Sequence, residues 1–214
     1  MSWSTEKGLN FRDTSAYVTD GANETYVLRS TGSELGPTYS GVTPYTTIDG
    51  DDIYLGYESG GGTDGERDRE QTIDRRIAGV HFKSNTAQAT FRIDLPQAGT
   101  YAIRLAFGDY WYTTRNYWQI VDDATVLETV DKTGTESSAN SFLDATGTAY
   151  SAANWPTSNT PKEYTFNSTI LRIVFAGNNV SANTTRSSAL CHVGIRFVGS
   201  ALPKSLGLLL RGCG

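Results

Sequence analysis

The chain has 214 residues with 18 basic and 23 acidic side chains, a formal charge of -5, and the two signs are interspersed along it. No cationic stripe exists to neutralise a run of phosphates, so no nucleic acid is expected as a partner, and no segment has the length and apolarity needed for membrane insertion. A chain this long can bury a substantial core, so neither a disulfide framework nor a metal is needed to fold it, and no cofactor is expected.

Helix-forming runs of Ala, Leu, Glu and Lys are missing, while Thr, Ser, Gly and Tyr are frequent, a balance that favours strands and loops. Leu9 to Phe11, Ala16 to Val18 and Tyr26 to Leu28 read as short strands around the turn formers Asp20 to Glu24. Residues 31–66 show strand character at Thr46 to Ile48 and Ile53 to Tyr57, and otherwise predict a long excursion over one end of the fold. Asp64 to Arg76 carries acids and bases that nearly cancel, the pattern of a solvated rim, and Ile77 to Phe82 resumes a strand.

Thr90 to Asp109 is the most regular stretch. Phe91, Ile93 and Leu95 alternate with Arg92 and Asp94; Tyr101, Ile103, Leu105 and Phe107 alternate with Ala102, Arg104 and Ala106. Strict alternation means one buried face and one wet face, and with turn chemistry at Pro96 to Gly99 it predicts a hairpin. Tyr117 to Val121 and Thr125 to Val130 predict another across Asp122-Asp123. Residues 131–162 are polar and small, with Trp155-Pro156 as their bulky anchor. Strand character returns at Tyr164 to Phe166, Thr169 to Phe175 and Leu190 to Val198, with a loop at Gly177 to Arg186. Roughly eight to eleven short strands at this spacing predict an all-β, antiparallel two-sheet β-sandwich of the jelly-roll type. Residues 1–200 are expected to form a single sandwich domain, followed by an apolar tail at 201–214.

Enzyme signatures are sparse. His81 and His192 both fall inside predicted strands without metal-ligand spacing, so both are expected to be structural. The patterns GxSxG and GxxxxGK[ST] are absent. Asp49, Asp51, Asp52, Asp109, Asp122 and Asp123 lie at predicted strand ends, where paired carboxylates or a calcium site would draw on them, but acids are common there in any β protein. The expected role is non-enzymatic, with no metal site.

The aromatic cluster is the better lead. Tyr110, Trp111 and Tyr112 follow Asp109, and Arg115 and Trp118 come shortly after; Tyr54 and Tyr57 are expected to join them from the earlier excursion. Such rings either contact a ligand or partner, or plug the open end of a sandwich, and the sequence weighs the two equally. Cys191 opens an alternating strand and is expected in the core. Leu206, Leu208, Leu209 and Leu210 form an apolar stretch that calls for a docking partner, and Cys213 beside it is read as a free thiol or a link to a neighbouring subunit.

The stretch DRRIAGVHF, Asp74 to Phe82, with Phe91 to Pro96, Gly99 to Tyr101 and Gly108-Asp109, resembles the central pattern of galactose-binding-domain-like and malectin-like β-sandwich modules. Such modules serve as carbohydrate-binding appendages of enzymes, and free-standing versions resemble bacteriophage structural proteins. The resemblance implies a virion structural protein, a decoration, collar or tail-associated sandwich. Its partners would be other virion proteins or symmetry-related copies of itself, with a face for cell-surface glycan. The opening MSWSTEKGLNF lacks the features of a secretory signal, so synthesis in the host cytoplasm is expected. A stand-alone carbohydrate-binding module is the alternative, and a small glycoside hydrolase or esterase the third reading.

Overall fold

The alternation along Gln88–Asp94 reappears as burial: Ala89, Phe91 and Ile93 are fully enclosed, while Thr90, Arg92 and Asp94 keep part of their surface. The computed structural model describes residues 3–11, 25–28, 38–48, 51–58, 65–68, 74–84, 88–133, 137–176 and 187–200. In chain order the strands are β1 (Lys7–Phe11), β2 (Thr25–Leu28), β3 (Thr46–Ile48), β4 (Asp51–Ile53), β5 (Leu55–Tyr57), β6 (Gly65–Asp68), β7 (Gly79–Ser84) and β8 (Gln88–Asp94). They continue with β9 (Gly99–Asp109), β10 (Tyr117–Asp122), β11 (Thr125–Asp131), β12 (Ser141–Leu143), β13 (Ala149–Ser151), β14 (Lys162–Phe166), β15 (Ile170–Ala176) and β16 (Ser187–Gly199). A 3-10 turn spans Arg75–Ile77, and one helical turn, α1, spans Trp155–Ser158 with Pro156 in its first turn. The expected strand at Ala16 to Val18 and the 201–214 tail lie outside the described residues.

Nine strands form the larger sheet along the path β13-β12-β9-β16-β1-β2, with β14 also on β9, β7 on β16 and β6 on β7. Five form the second sheet, β11-β10-β15-β8-β5, and β3 pairs with β4. The ladders of these sheets are antiparallel except for β1 with β2, which run parallel. The architecture is thus the β-sandwich expected from the alternation, and β10–β11 is the expected hairpin.

The hairpin expected across Pro96 to Gly99 is not one. β8 pairs with β15 and β5 in the smaller sheet, and β9 pairs with β16, β14 and β12 in the larger. The turn therefore carries the chain from one layer to the other, so the two apolar faces meet across the core instead of lying side by side. Between the sheets Phe107 stacks on Trp118 with centroids 4.5 Å apart and planes within 6°, and Phe175 meets Phe107 edge-on at 5.8 Å. Each such ring contributes roughly 1.5–3 kcal/mol by burial. Along one side, the Tyr164 hydroxyl on β14 donates to Glu128 on β11, which also holds Lys162, so the layers are joined by polar bonds as well. The outer face of the smaller sheet carries a charge ladder, with Arg172 on Glu58 at 2.8 Å and Arg92 on Asp94 at 2.8 Å.

The larger sheet is covered on its other face too. Ile77, Val80, Ala106, Phe142, Trp155 and Cys191 belong to a second buried cluster on that side. A register shift between Leu190 and His192 on β16 sends Leu190 into the main core but turns Cys191 out of it. Cys191 is buried as expected, but in the second cluster, where its thiol donates to the Gly108 carbonyl at 3.2 Å.

One edge of β9 lies along β16, while β14 takes the other edge up to Ile103 and β12 takes it from Phe107 onward. In the gap between them the Leu105 carbonyl accepts from Trp155 Nε1 at 3.3 Å and from Asn159 Nδ2 at 2.7 Å. Side chains thereby replace a missing strand, which is the task of the Trp155 anchor. Where β12 arrives, a Cβ on Gly108 would stand 2.2 Å from the Ser141 carbonyl oxygen. Gly108→Ala is expected to lower stability by about 2–3 kcal/mol, read as a reduced urea midpoint with unchanged m value.

Candidate functional site

β9 ends in Asp109, which is buried, and its Oδ1 accepts from the main-chain N–H of Trp111 at 2.9 Å and of Tyr112 at 3.3 Å. A carboxylate that folds the chain back on itself in this way fixes a short loop without help from a core. Farther along, Thr114 and Ser137 exchange main-chain bonds at 3.1 and 2.8 Å. Asn116, fully enclosed, donates to Thr114 Oγ1 at 2.8 Å and accepts from the Ala189 N–H at 3.2 Å. The loop from β9 to β10 is thus pinned at both ends where it crosses between the sheets.

On this loop Trp111 is 55% and Tyr112 61% exposed. Tyr110 packs against the second cluster, and Arg115 donates through Nη1 to the Thr133 carbonyl at 3.1 Å. Two other aromatics belong elsewhere. Trp118 is fully buried under Phe107, and Tyr57 lies in the core with its hydroxyl 3.1 Å from His81 Nδ1, so neither reaches a contact surface. Both alternate with the strands they sit on, which points them inward. Tyr54 sits beside Asp94, whose N–H donates to its carbonyl at 2.9 Å; this is the end of the sandwich where β9 begins, opposite Trp111. The structure therefore brings Trp111 and Tyr112 together, uses Asp109, Tyr110 and Arg115 to hold them, and separates Tyr54, Tyr57 and Trp118 from them. The docking residues Leu206, Leu208, Leu209, Leu210 and Cys213 lie outside the described residues.

Beside the loop is a cavity of about 320 Å³ lined by Lys132, Ser137, Ser138, Ser141, Leu143 and Ala149, with Gly147 at its wall. Residues 131–162 offer no alternation that would mark it in the sequence. Its shape comes from the turn between β12 and β13, where Asp144 Oδ1 accepts from the N–H groups of Thr146 and Thr148 at 2.8 and 3.0 Å. Gly147 has φ of +79° there, and a Cβ on it would lie 2.8 Å from Lys132 Cε and Val130 Cγ1. The cluster of serines followed by a glycine in a Thr-Gly-Thr turn is the signal that a sequence reading could have used.

The groups expected to be structural have partners. His192, buried beside Trp155, keeps its Nδ1 2.8 Å from Asn10 Oδ1. Burial, reinforced by Arg76 and Arg104, pushes its pKa down to about 3. Asp122 caps the turn after β14, accepting from the N–H of Asn167 at 2.7 Å and of Ser168 at 3.1 Å. Burial alone would raise its pKa, but these bonds and the Ser168 hydroxyl outweigh it and hold the carboxyl below its usual range. Asp123 pairs with Arg172 at 2.9 Å. Among the described residues, no three His, Cys, Asp or Glu side chains gather as a metal site would require, and no helix is long and apolar enough to cross a membrane.

No protein-family model matches this chain, and no curated protein matches it. Among solved structures, a beta-glucuronidase from Bacteroides uniformis superposes over 91% of this chain at 14% identity with a TM-score of 0.50. Beta-glucuronidase 2 of the same organism, bound covalently to cyclophellitol-6-carboxylate aziridine, gives 0.47 over 91% at 15% identity. A GH26-CBM35 beta-(1,4)-mannanase from Podospora anserina gives 0.33 over 64% of this chain and 28% of its own, at 12% identity. This chain spans 18% of each glucuronidase. The likeness is one of fold. It agrees with the two-sheet β-sandwich expected from the alternation.

Two outcomes are expected from this geometry. Asp109→Ala removes the acceptor of two loop N–H groups and should cost about 1–2 kcal/mol, measured by chemical unfolding. Unfolded His192 takes its proton near pH 6.5, whereas the folded one waits until about pH 3. Between these values the unfolded chain holds more protons, so this contribution to stability is complete above pH 6.5 and is lost as pH falls toward 3. Relative to wild type, His192→Gln should lose about 2 kcal/mol less between pH 7 and pH 5, seen in paired urea titrations.

Proposed function

We propose that the protein is a non-catalytic binding module that presents Trp111 and Tyr112 to the face of a carbohydrate ring. The observation that carries this reading is the exposure of two adjacent aromatic rings on a loop made rigid by Asp109, Thr114 and Asn116. Leaving more than half of each residue's surface in water forgoes burial energy, and fixing their loop removes freedom they would lose on binding. Sugars present flat C–H faces to aromatic rings and hydroxyls to neighbouring polar groups, and the serine-lined cavity supplies the latter.

The non-catalytic part of the reading is supported by the way both histidines and three of the candidate acids are engaged. His192 is bound to Asn10, His81 to Tyr57, Asp109 to its own loop, Asp122 to the turn after β14 and Asp123 to Arg172. As the setting we propose a bacteriophage particle, on the strength of the sequence resemblance, with the sugar on a cell surface and the leucine-rich tail as the docking element.

Trp111→Ala is expected to abolish retention on a glycan array while changing stability by less than about 0.5 kcal/mol. Undiminished retention, or no glycan bound by the intact protein, overturns the reading. For the setting, deleting residues 201–214 is expected to convert an assembling protein into a monomer by light scattering; a monomer in both forms counts against it.

A further inference from the structure

The cavity lined by Lys132 and the serines is more than a neighbour of the aromatic pair. The Asp109–Asn116 loop is tied to three residues of the cavity wall, Ser141, Ser137 and Lys132, and to their neighbours Asn140 and Thr133. Asp109 pairs with Ser141 in the β9–β12 ladder, and its carbonyl accepts from the Asn140 N–H at 3.0 Å. Thr114 bridges Ser137, Arg115 reaches the Thr133 carbonyl, and the Lys132 N–H donates to the Asn116 carbonyl at 2.8 Å. Platform and cavity are therefore parts of one body.

The lining mixes the polar residues Ser137, Ser138, Ser141 and Lys132 with the apolar Leu143 and Ala149. Hydroxyl donors and acceptors beside apolar carbon match a ring that carries hydroxyls at its edge and C–H groups on its face. At about 320 Å³ the cavity stands at the small end of ligand sites. It has room for a single ring, and a longer chain must extend elsewhere.

We infer that the ligand is an oligosaccharide held at two subsites, one ring on Trp111 and Tyr112 and the adjoining ring in the cavity walled by Lys132, Ser141 and Ala149. This rests on the carbohydrate-binding reading and adds that a single sugar fills half of the site. Lys132 and the serines would hydrogen-bond the second ring, while the aromatic pair stacks on the first. Gly147 keeps the second subsite open, because any side chain at that position would displace the Lys132 stem.

The test is titration calorimetry with mono-, di- and trisaccharides of glucose, galactose, mannose and N-acetylglucosamine. For at least one series, the disaccharide is expected to bind about tenfold more tightly than the monosaccharide, the gain of one to two hydrogen bonds. Ala149→Trp, on an exposed position of β13, should fill the cavity and erase that gain while leaving the monosaccharide affinity in place. Lys132→Ala should reduce the gain by a few fold, and serves in place of Ala149→Trp if that variant unfolds at lower temperature. Trp111→Ala should lose every sugar. Affinity independent of chain length, or a gain untouched in the cavity variants, overturns the two-subsite inference and leaves the binding module standing. No binding of any of these sugars by the intact protein removes both.

Discussion

The structure depends on burying β9 on both faces. Its eleven residues form the middle of the larger sheet, with the inter-sheet core on one side and the Trp155 cluster on the other. A strand so enclosed must have its backbone groups paired and its side chains fitted, since water reaches neither. This is why β12 and β14 share one edge, why Trp155 and Asn159 reach into the gap at Leu105, and why a glycine stands where Ser141 crosses. The Gly108-Asp109 pair then does two things in succession. The glycine admits β12, and the aspartate turns the chain outward.

That order of events explains how an exposed aromatic pair sits on a closed sandwich. Trp111 and Tyr112 keep more than half of their surface exposed, but the loop that carries them is anchored by groups the core holds in place. Asn116 is completely enclosed and binds both the loop and the start of β16. The exposed tip is therefore tied at both ends, and the cavity shares those supports through Ser137, Ser141 and Lys132.

Most of the strands were legible in the sequence because a half-buried strand leaves a period of two, as in Phe91, Ile93 and Tyr101, Ile103. Partners were not. β8 and β9 present equivalent apolar faces, and alternation cannot distinguish strands that lie side by side from strands that face each other. The aromatic loop was legible as a place but not residue by residue. Trp118 begins the alternation Trp118, Ile120 and belongs to a strand, whereas Trp111 follows the Gly108-Asp109 break; that contrast separates core from surface. The cavity left only its serines and the Thr-Gly-Thr turn as a signal, because its walls mix small polar residues with Lys132, Leu143 and Ala149 and are shaped by turns with positive φ at Asn140 and Gly147.

The first strand closes the larger sheet against the last: Lys7 stands opposite Ile195 and Asn10 opposite His192. During synthesis the edge of β1 that takes β16 stays unpaired until residues 192–195 have left the ribosome. Pairing across so long an interval carries a large loop-closure cost and slows folding. The nascent β1 edge meanwhile stays open to foreign strands. Its flank of charge, Glu6 and Lys7, is well placed to discourage wrong pairing until β16 arrives.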